Sequence, residues 1–173
     1  MEEQLLESVW SFKTKTKIDF TKNQDKNAWL SNYISVCSVN TIEDFWRLWS
    51  NILGQKLNKQ VEIQTTVHSF FKDDIEPAWE HAKNKNGCSI HFYINDAREF
   101  ALVCSLMCIG NEFDVNGCTF DIKPKVNGVY KWKVSIWLPL VDSENIKKIK
   151  EYLKKYSKID SDLIDSCRID EHH

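Results

Sequence analysis

Trp79 and the neighbouring Glu80 together offer an aromatic face and a carboxylate, which could hold a flat ligand with hydrogen-bond donors on its edge. They lie in the segment 71–81, where an acidic pair and Pro77 are typical of a loop. A loop indole is hard to bury in the core, and a carboxylate can accept two parallel N–H bonds, such as the edge of a guanine offers. The alternative is that Trp79 folds back on its own sheet, because tryptophan is usually mostly buried.

Two further tryptophans could contribute to such a site. Trp29 follows a Lys- and Asn-rich stretch, residues 13–27, that we predict to be an exposed loop; it could be a second aromatic plate or a lid over the end of a sheet. Trp137 alternates with core positions of a strand and shares its outward face with lysines. A polar outward face is normal for an antiparallel sheet, but an indole among lysines suggests a concave site.

The composition is that of one ordinary domain. The chain has 173 residues, of which 42% are hydrophobic and 28% charged, with a net charge of -2. This charge argues against a non-specific nucleic-acid binder, which needs a broad basic surface, but permits a site for a single nucleotide. The six cysteines show no C-x-x-C spacing and no signal peptide precedes them, so we expect reduced thiols in an intracellular protein.

Hydrophobic periodicity predicts strands over residues 8–13, 30–39, 61–68, 88–94, 118–125, 129–138 and 163–169. It predicts helices from the N-cap Thr41 to Gly54, from Asn95 or Asp96 to Gly110, and over residues 143–156. The sum is an α+β fold: a single curved antiparallel sheet of seven or eight strands with three helices packed on its convex face. We expect one domain over residues 1–173, with residues 1–7 flexible and 170–173 a tail in which His172-His173 is a tag remnant.

The first two helices carry more apolar surface than one sheet face needs. Phe45, Trp46 and Trp49 crowd the first helix, and the second is apolar nearly all round. Most of this surface should pack on the sheet, and the remainder could be covered by another helix or by another protein.

Two long motifs, TIEDFW at residues 41–46 and FKDDIEPAWE at residues 71–80, resemble the family of eukaryotic translation initiation factor 4E, which binds the mRNA cap. The helix end Ile109-Gly110 and the segment 134–137 (VSIW) extend the resemblance in the same order. It implies that Trp29 and Trp79 sandwich 7-methylguanine, that Glu80 accepts its two edge N–H groups and that Trp137 contacts the methyl group.

The resemblance also implies roles for basic and apolar residues. Lys125 and Lys133 match the phosphate-binding positions, with Lys123 and Lys131 as substitutes on the same faces, whereas Ser89 stands where the family usually has an arginine. The residues that match the surface for a partner helix of the Tyr-x-x-x-x-Leu type are Ile42, Trp46, Leu102, Val103 and Gly110. That helix would belong to the scaffold subunit of the cap-binding complex or to a repressor.

The implied function is cap binding and recruitment of capped mRNA to translation initiation, in a cytoplasmic protein with the nucleus left open as a second compartment. We expect no enzyme activity, cofactor, metal, membrane contact or DNA partner. A cap-binding repressor and an interaction domain that no longer binds caps remain alternatives. An enzyme acting on nucleotides is the other class; its candidates are His91, Asp121 and the lysines of the outward face.

Overall fold

A computed structural model describes residues 3–16, 33–57, 66–123 and 131–173, and these residues form one seven-stranded antiparallel sheet. The strands are β1 (Leu5–Thr16), β2 (Tyr33–Thr41), β3 (Thr66–Lys72), β4 (Cys88–Ile94), β5 (Gly117–Lys123), β6 (Lys131–Leu138) and β7 (Arg168–Glu171). Their order across the sheet is β2-β1-β3-β5-β6-β4-β7. The predicted α+β class, with one curved antiparallel sheet and helices on one side, is confirmed.

The three predicted helices are present. They are α1 (Ile42–Leu48), α3 (Arg98–Ile109) and α4 (Ser143–Tyr156), with a short α2 (Gly54–Lys56) and α5 (Ser161–Asp165) in addition. Thr41 caps α1 as predicted, since its hydroxyl accepts a hydrogen bond from the Asp44 amide at 3.0 Å. The predicted end at Gly54 is wrong, because Gly54 keeps a helical φ of -63° and the chain passes through a π-helical stretch, Trp49–Leu53, into α2.

The core lies between the sheet and the helices, on what we call the covered face. Alternate residues of β4 and β6 point to it, and none is more than 3% exposed: Cys88, Ile90, Phe92, Ile94, Trp132, Val134, Ile136 and Leu138. The helices contribute Phe45, Phe100, Ile149 and Leu153, all at most 1% exposed. The period of two in the strands and of 3.6 in the helices therefore predicts the core correctly. The other side of the sheet, which carries Trp137, is the open face.

Both ends of the chain differ from the prediction. Residues 5–7 lie in β1, and β1 also continues from Lys13 to Thr16, a stretch that the sequence predicts to be a loop. Leu163 lies in α5, and β7 begins at Arg168, so residues 170–173 are not a tail. β7 pairs with β4, which supplies the hydrogen-bonding partner that a lone four-residue segment lacks.

Trp29, Lys125, the turn at 127–128 and the predicted strand residues 61–65 lie outside the described residues. Within the described ranges, no helix is long and apolar enough to cross a membrane.

Candidate functional site

The loop between β3 and β4 presents Trp79 and Glu80 to solvent. The Trp79 side chain is 51% exposed and Glu80 is also exposed, so the indole does not fold back into the sheet. One tight turn precedes the pair and a second contains it: the Ala78 amide donates to the Glu76 carbonyl at 2.8 Å, and the His81 amide donates to the Ala78 carbonyl at 3.1 Å. The position of Trp79 is therefore set by backbone hydrogen bonds on both sides of it.

A buried asparagine holds this loop in place. Asn84 is 0% exposed, and its side-chain Nδ2 donates to the carbonyls of Glu76 at 2.9 Å and Ala78 at 2.7 Å. Its Oδ1 accepts from Asn116 Nδ2 at 2.8 Å. Because buried polar groups left without partners are costly, this fully used side chain fixes the turn that precedes Trp79.

Trp137 stands on the open face with an aromatic ring on each side. Its ring centroid lies 5.7 Å from Phe71, in edge contact, and 4.8 Å from His172, at an angle of 50°. The Phe71 ring lies over Gly117, and it fits there because glycine has no side chain. An added Cβ at Gly117 would stand 2.4 Å from the Phe71 ring. The indole Nε1 of Trp137 donates to Thr119 Oγ1 at 3.4 Å. The contacts with Phe71, His172 and Thr119 thus hold the half-buried Trp137 indole in place, while the rest of the ring remains exposed.

Lysines collect at the end of β5 and β6 that lies away from Trp137. Lys123 pairs across the strands with Lys131, and Lys133 with Asp121. The Lys123 Nζ contacts the Asp121 Oδ2 at 2.5 Å. Burial, and then the charge of Lys123, lower the pKa of Lys133 below its usual value. Three of the four lysines that the resemblance assigns to phosphate thus lie together, and the fourth, Lys125, lies outside the described residues.

A buried cation lies close to Glu80. Lys15, on the open face of β1, has its Nζ 5.2 Å from the ring centroid of Tyr33. Burial lowers the pKa of Lys15 to about 8, and the negative charge of Glu80 acts in the opposite direction. Glu80 is therefore near enough to Lys15 for the two charges to interact across the edge of the loop.

His91, the candidate for enzyme chemistry, bridges two strands. Its Nδ1 is 2.8 Å from Ser135 Oγ and its Nε2 is 3.2 Å from Asp170 Oδ2. Burial, and next the charge of Lys133, lower its pKa to about 4. A serine, a histidine and an aspartate in contact are the residue types of a hydrolytic triad. Ser135 is 3% and His91 6% exposed, however, so the serine and the histidine are buried in the sheet, where a substrate has little access to them.

The covered side keeps some apolar surface in solvent. Trp46 is 43% exposed on α1, with Ile42 half-buried on the same helix, and Leu102 is half-buried on α3. Gly110 is the exposed C-cap of α3. Val103 differs from its assignment to the partner surface: it is 8% exposed and belongs to the core, so little of its side chain is available to a partner.

Three residues that support the site were missed in the sequence: Asn84, Asn116 and His172. Asn84 was assigned only to a turn, and His172 to a tail. The contacts that join these three residues to one another span long distances along the chain, with 32 residues separating Asn84 from Asn116 and 88 separating His172 from Asn84. A local pattern carries no signal for such contacts.

Residues 5–165 match the family model of eukaryotic initiation factor 4E. The chain belongs to this family. Eukaryotic translation initiation factor 4E of Dictyostelium discoideum is 29% identical over 78% of this chain and 54% of its own length. The factor of Homo sapiens is 32% identical over 68% of this chain and 55% of its own length. The chain thus spans about half the length of the curated relatives it matches.

Solved structures of the family share the fold. C. elegans eIF4E-3, in a complex with the 4E-binding protein Mextli and a cap analogue, gives a TM-score of 0.76 at 21% identity, over 98% of this chain and 93% of that one. Ascaris suum eIF4E-3 with an m7G cap gives 0.78 at 20% identity, over 99% and 93%. The schistosome factor with m7GpppA and 4E-BP gives 0.71 at 22% identity, over 92% and 85%. The described residues therefore share the architecture of these solved members of the family.

Proposed function

We propose that this chain binds the 7-methylguanosine cap of mRNA and recruits it to translation initiation through a scaffold protein. One observation carries the proposal: a rigid loop holds an exposed indole and an exposed carboxylate side by side at Trp79 and Glu80. Membership of the initiation factor 4E family and the cap analogues bound to its C. elegans and Ascaris suum members support it.

The base would be recognised by stacking and by its edge. Trp79 and Trp29 form the two plates, with Trp29 assigned by the resemblance alone, and Trp137 contacts the methyl group. Stacking contributes about 1–3 kcal/mol per base. Methylation at N7 makes the purine cationic, which adds a cation–π term of up to about 2 kcal/mol when the ring is desolvated. Glu80 accepts the two edge N–H groups, a pattern that adenine cannot offer.

The phosphates would meet the lysine cluster of the open face. Lys123, Lys131 and Lys133 bring positive charge to the neighbouring strands β5 and β6, farther along the strands than Trp137, and Lys125 is the fourth residue of the set. An ammonium group binds phosphate as a point charge and tolerates variation in its position. Charge of this kind acts on capped and uncapped nucleotides alike, so selectivity for the methyl group must come from the aromatic residues.

Recruitment would use the opposite side of the sheet. The exposed part of Trp46, with Ile42 on the same helix and Leu102 on α3, supplies apolar surface for a helix of the Tyr-x-x-x-x-Leu type. The schistosome factor is solved with 4E-BP and the C. elegans factor with the 4E-binding protein Mextli, which supports a protein partner for this chain. A repressor that binds caps without the scaffold would use the same surfaces, and a pull-down of partners distinguishes the two roles.

Retention on a 7-methyl-GTP resin tests the proposal. Trp79→Ala should lower the affinity by about a hundredfold or more, because stacking and cation–π energy are lost together. Trp46→Ala is the matched control: it removes a similarly exposed indole, 43% against 51%, from the other side of the sheet, and should leave retention unchanged.

The alternatives predict other results in the same assay. Retention of Trp79→Ala equal to that of the wild type would rule out the sandwich. Failure of the wild type to bind, with no change of tryptophan fluorescence on titration, would favour an interaction domain without a ligand. Release of mono- or diphosphate from a cap analogue, abolished by His91→Gln, would favour an enzyme.

A further inference from the structure

The last strand brings a histidine into the interior of the site. β7 pairs with β4, with Glu171 opposite Cys88, and the His172 amide then donates to the Gly87 carbonyl at 2.9 Å. Gly87 is also packed tightly against the end of β6, where an added Cβ would stand 1.9 Å from the Leu138 carbonyl oxygen. His172 is only 9% exposed, although it directly follows an edge strand.

Both ring nitrogens of His172 are used. Nδ1 is 2.8 Å from the Asn84 carbonyl oxygen, and Nε2 is 2.6 Å from Ser89 Oγ. A carbonyl oxygen only accepts, so Nδ1 carries a hydrogen and donates it. In the neutral ring Nε2 accepts from the Ser89 hydroxyl. The imidazole is thereby held in one orientation, with its centroid 4.8 Å from the Trp137 indole.

The same contacts connect His172 to the loop that carries Trp79. Asn84, whose carbonyl accepts from His172, donates through its side chain to the Ala78 carbonyl at 2.7 Å, and Ala78 immediately precedes Trp79. Asn116 bonds to the Asn84 side chain at 2.8 Å, and its amide donates to the Trp137 carbonyl at 2.8 Å. One hydrogen-bonded unit thus joins β7 to both aromatic elements of the open face.

We propose that His172 is a positioning residue of the base-binding site, which fixes the plane of the Trp137 indole and locks it to the Trp79 loop. The inference rests on the proposed function. Ser89, at the position where the family usually has an arginine, is the hydroxyl that holds the imidazole. The small side chain at this position therefore makes room for a histidine against Trp137 instead of bringing a charge toward the phosphates.

Three ligands separate positioning of the base site from general stability: 7-methyl-GTP, 7-methylguanosine and GTP. If His172 orients Trp137 toward the methyl group, its loss should lower the affinity for both methylated ligands by about tenfold and the affinity for GTP by much less. A purely structural role would weaken all three together. His172→Phe keeps an aromatic ring against Trp137 but removes both hydrogen bonds, and His172→Asn keeps a donor that can reach the Asn84 carbonyl.

The experiment measures dissociation constants by tryptophan fluorescence and the thermal midpoint for the wild type, His172→Phe, His172→Asn and the exposed control His173→Ala. We expect weak binding of methylated ligands by His172→Phe, partial recovery in His172→Asn and no change in His173→Ala. A second readout needs no ligand: the indole Nε1–H resonance of Trp137, assigned with Trp137→Phe, should shift in His172→Phe.

Each outcome supports or overturns the inference. A wild type that binds 7-methyl-GTP, with His172→Phe binding equally well, overturns it while leaving the proposed function intact. Equal weakening of all three ligands, together with a lowered thermal midpoint, also overturns it. A wild type that binds no methylated ligand refutes the proposed function and this inference with it, and in that case a shifted Trp137 resonance would report only a packing contact.

Discussion

At the scale of single residues, Lys133 illustrates how the open face modifies a charge. The residue is half-buried opposite Asp121, and loss of hydration lowers its pKa, with Lys123 lowering it further. A cation that has already lost part of its water should bind phosphate strongly, because less desolvation remains to be overcome on binding. Its charge is also easier to remove by raising the pH than that of a fully solvated lysine.

Lys133→Gln should therefore lower the affinity for 7-methyl-GTP by about tenfold or more, since a hydrogen bond to a charged group contributes about 1.5–3 kcal/mol. The affinity for the nucleoside 7-methylguanosine, which has no phosphate, should not change. The pKa of Lys133 is lowered, so wild-type affinity for the triphosphate should fall as the pH rises through that pKa, and the variant should lack this fall. Isothermal titration at several pH values measures both effects. Lys148→Gln, an exposed lysine of α4, is the control. An equal loss for nucleoside and nucleotide would contradict a phosphate contact.

Sequence reasoning identified the residues that face a ligand more readily than those that support them. Trp79 and Trp137 stand out because an indole in a loop or among lysines conflicts with its own hydrophobicity. Asn84 and His172 do not stand out, because asparagine is common in turns and a histidine in the last residues of a chain has no local pattern. Their roles depend on contacts with β4, β5 and the Trp79 loop, which exist only after the sheet has formed.

At the scale of elements, periodicity predicts the central strands and the longer helices, and fails at the edges of the sheet. The prediction for α4 has the observed bounds, Ser143–Tyr156, because its amphipathic pattern is clear, and the structure adds Asp142 as its N-cap. β7 has only four residues, and its exposed side chains show no alternation of burial. Pairing with β4, rather than propensity, makes it a strand.

The His91 bridge between β4, β6 and β7 makes the stability of this edge dependent on pH. The pKa of His91 is about 4 in the folded chain and 6.5 for an unperturbed histidine, so between these values the unfolded state binds more protons. The free energy of unfolding should therefore fall as the pH is lowered from 6.5 to 4, with a slope for this group of at most about 1.4 kcal/mol per pH unit.

His91→Gln should reduce this slope in urea denaturation series measured across that pH range. Part of the slope should remain, because burial also lowers the pKa of His68 to about 4. The exposed His173→Gln serves as the control and should keep the full wild-type slope. If the free energy of unfolding of His91→Gln had the same pH slope as that of the wild type, the His91 imidazole would not be the group that takes up the proton on unfolding.

Across the whole molecule, one sheet separates the open face from the helical side, and both surfaces depend on the same core. Trp79, Trp137 and the lysines belong to the open side, whereas Trp46 and Leu102 belong to the helices on the other. The strands between them carry buried apolar residues on the covered face and polar or aromatic residues on the open face. A substitution in the exposed part of either side should therefore affect that side alone, whereas one in the core should affect both.

Trp46→Ala tests this separation from the helical side. The variant should lose about thirtyfold or more in affinity for a peptide of the Tyr-x-x-x-x-Leu type, because an aromatic hot-spot residue contributes about 2 kcal/mol or more at such an interface. It should still bind 7-methyl-GTP as the wild type does. Fluorescence polarisation with a labelled peptide and resin retention measure the two activities, and Trp79→Ala should give the reverse result. In the double variant the two losses should be independent.

Loss of cap binding in Trp46→Ala would instead reveal that this indole supports the core beneath the sheet. The support would come through its edge contact with the buried Phe45, with ring centroids 5.3 Å apart.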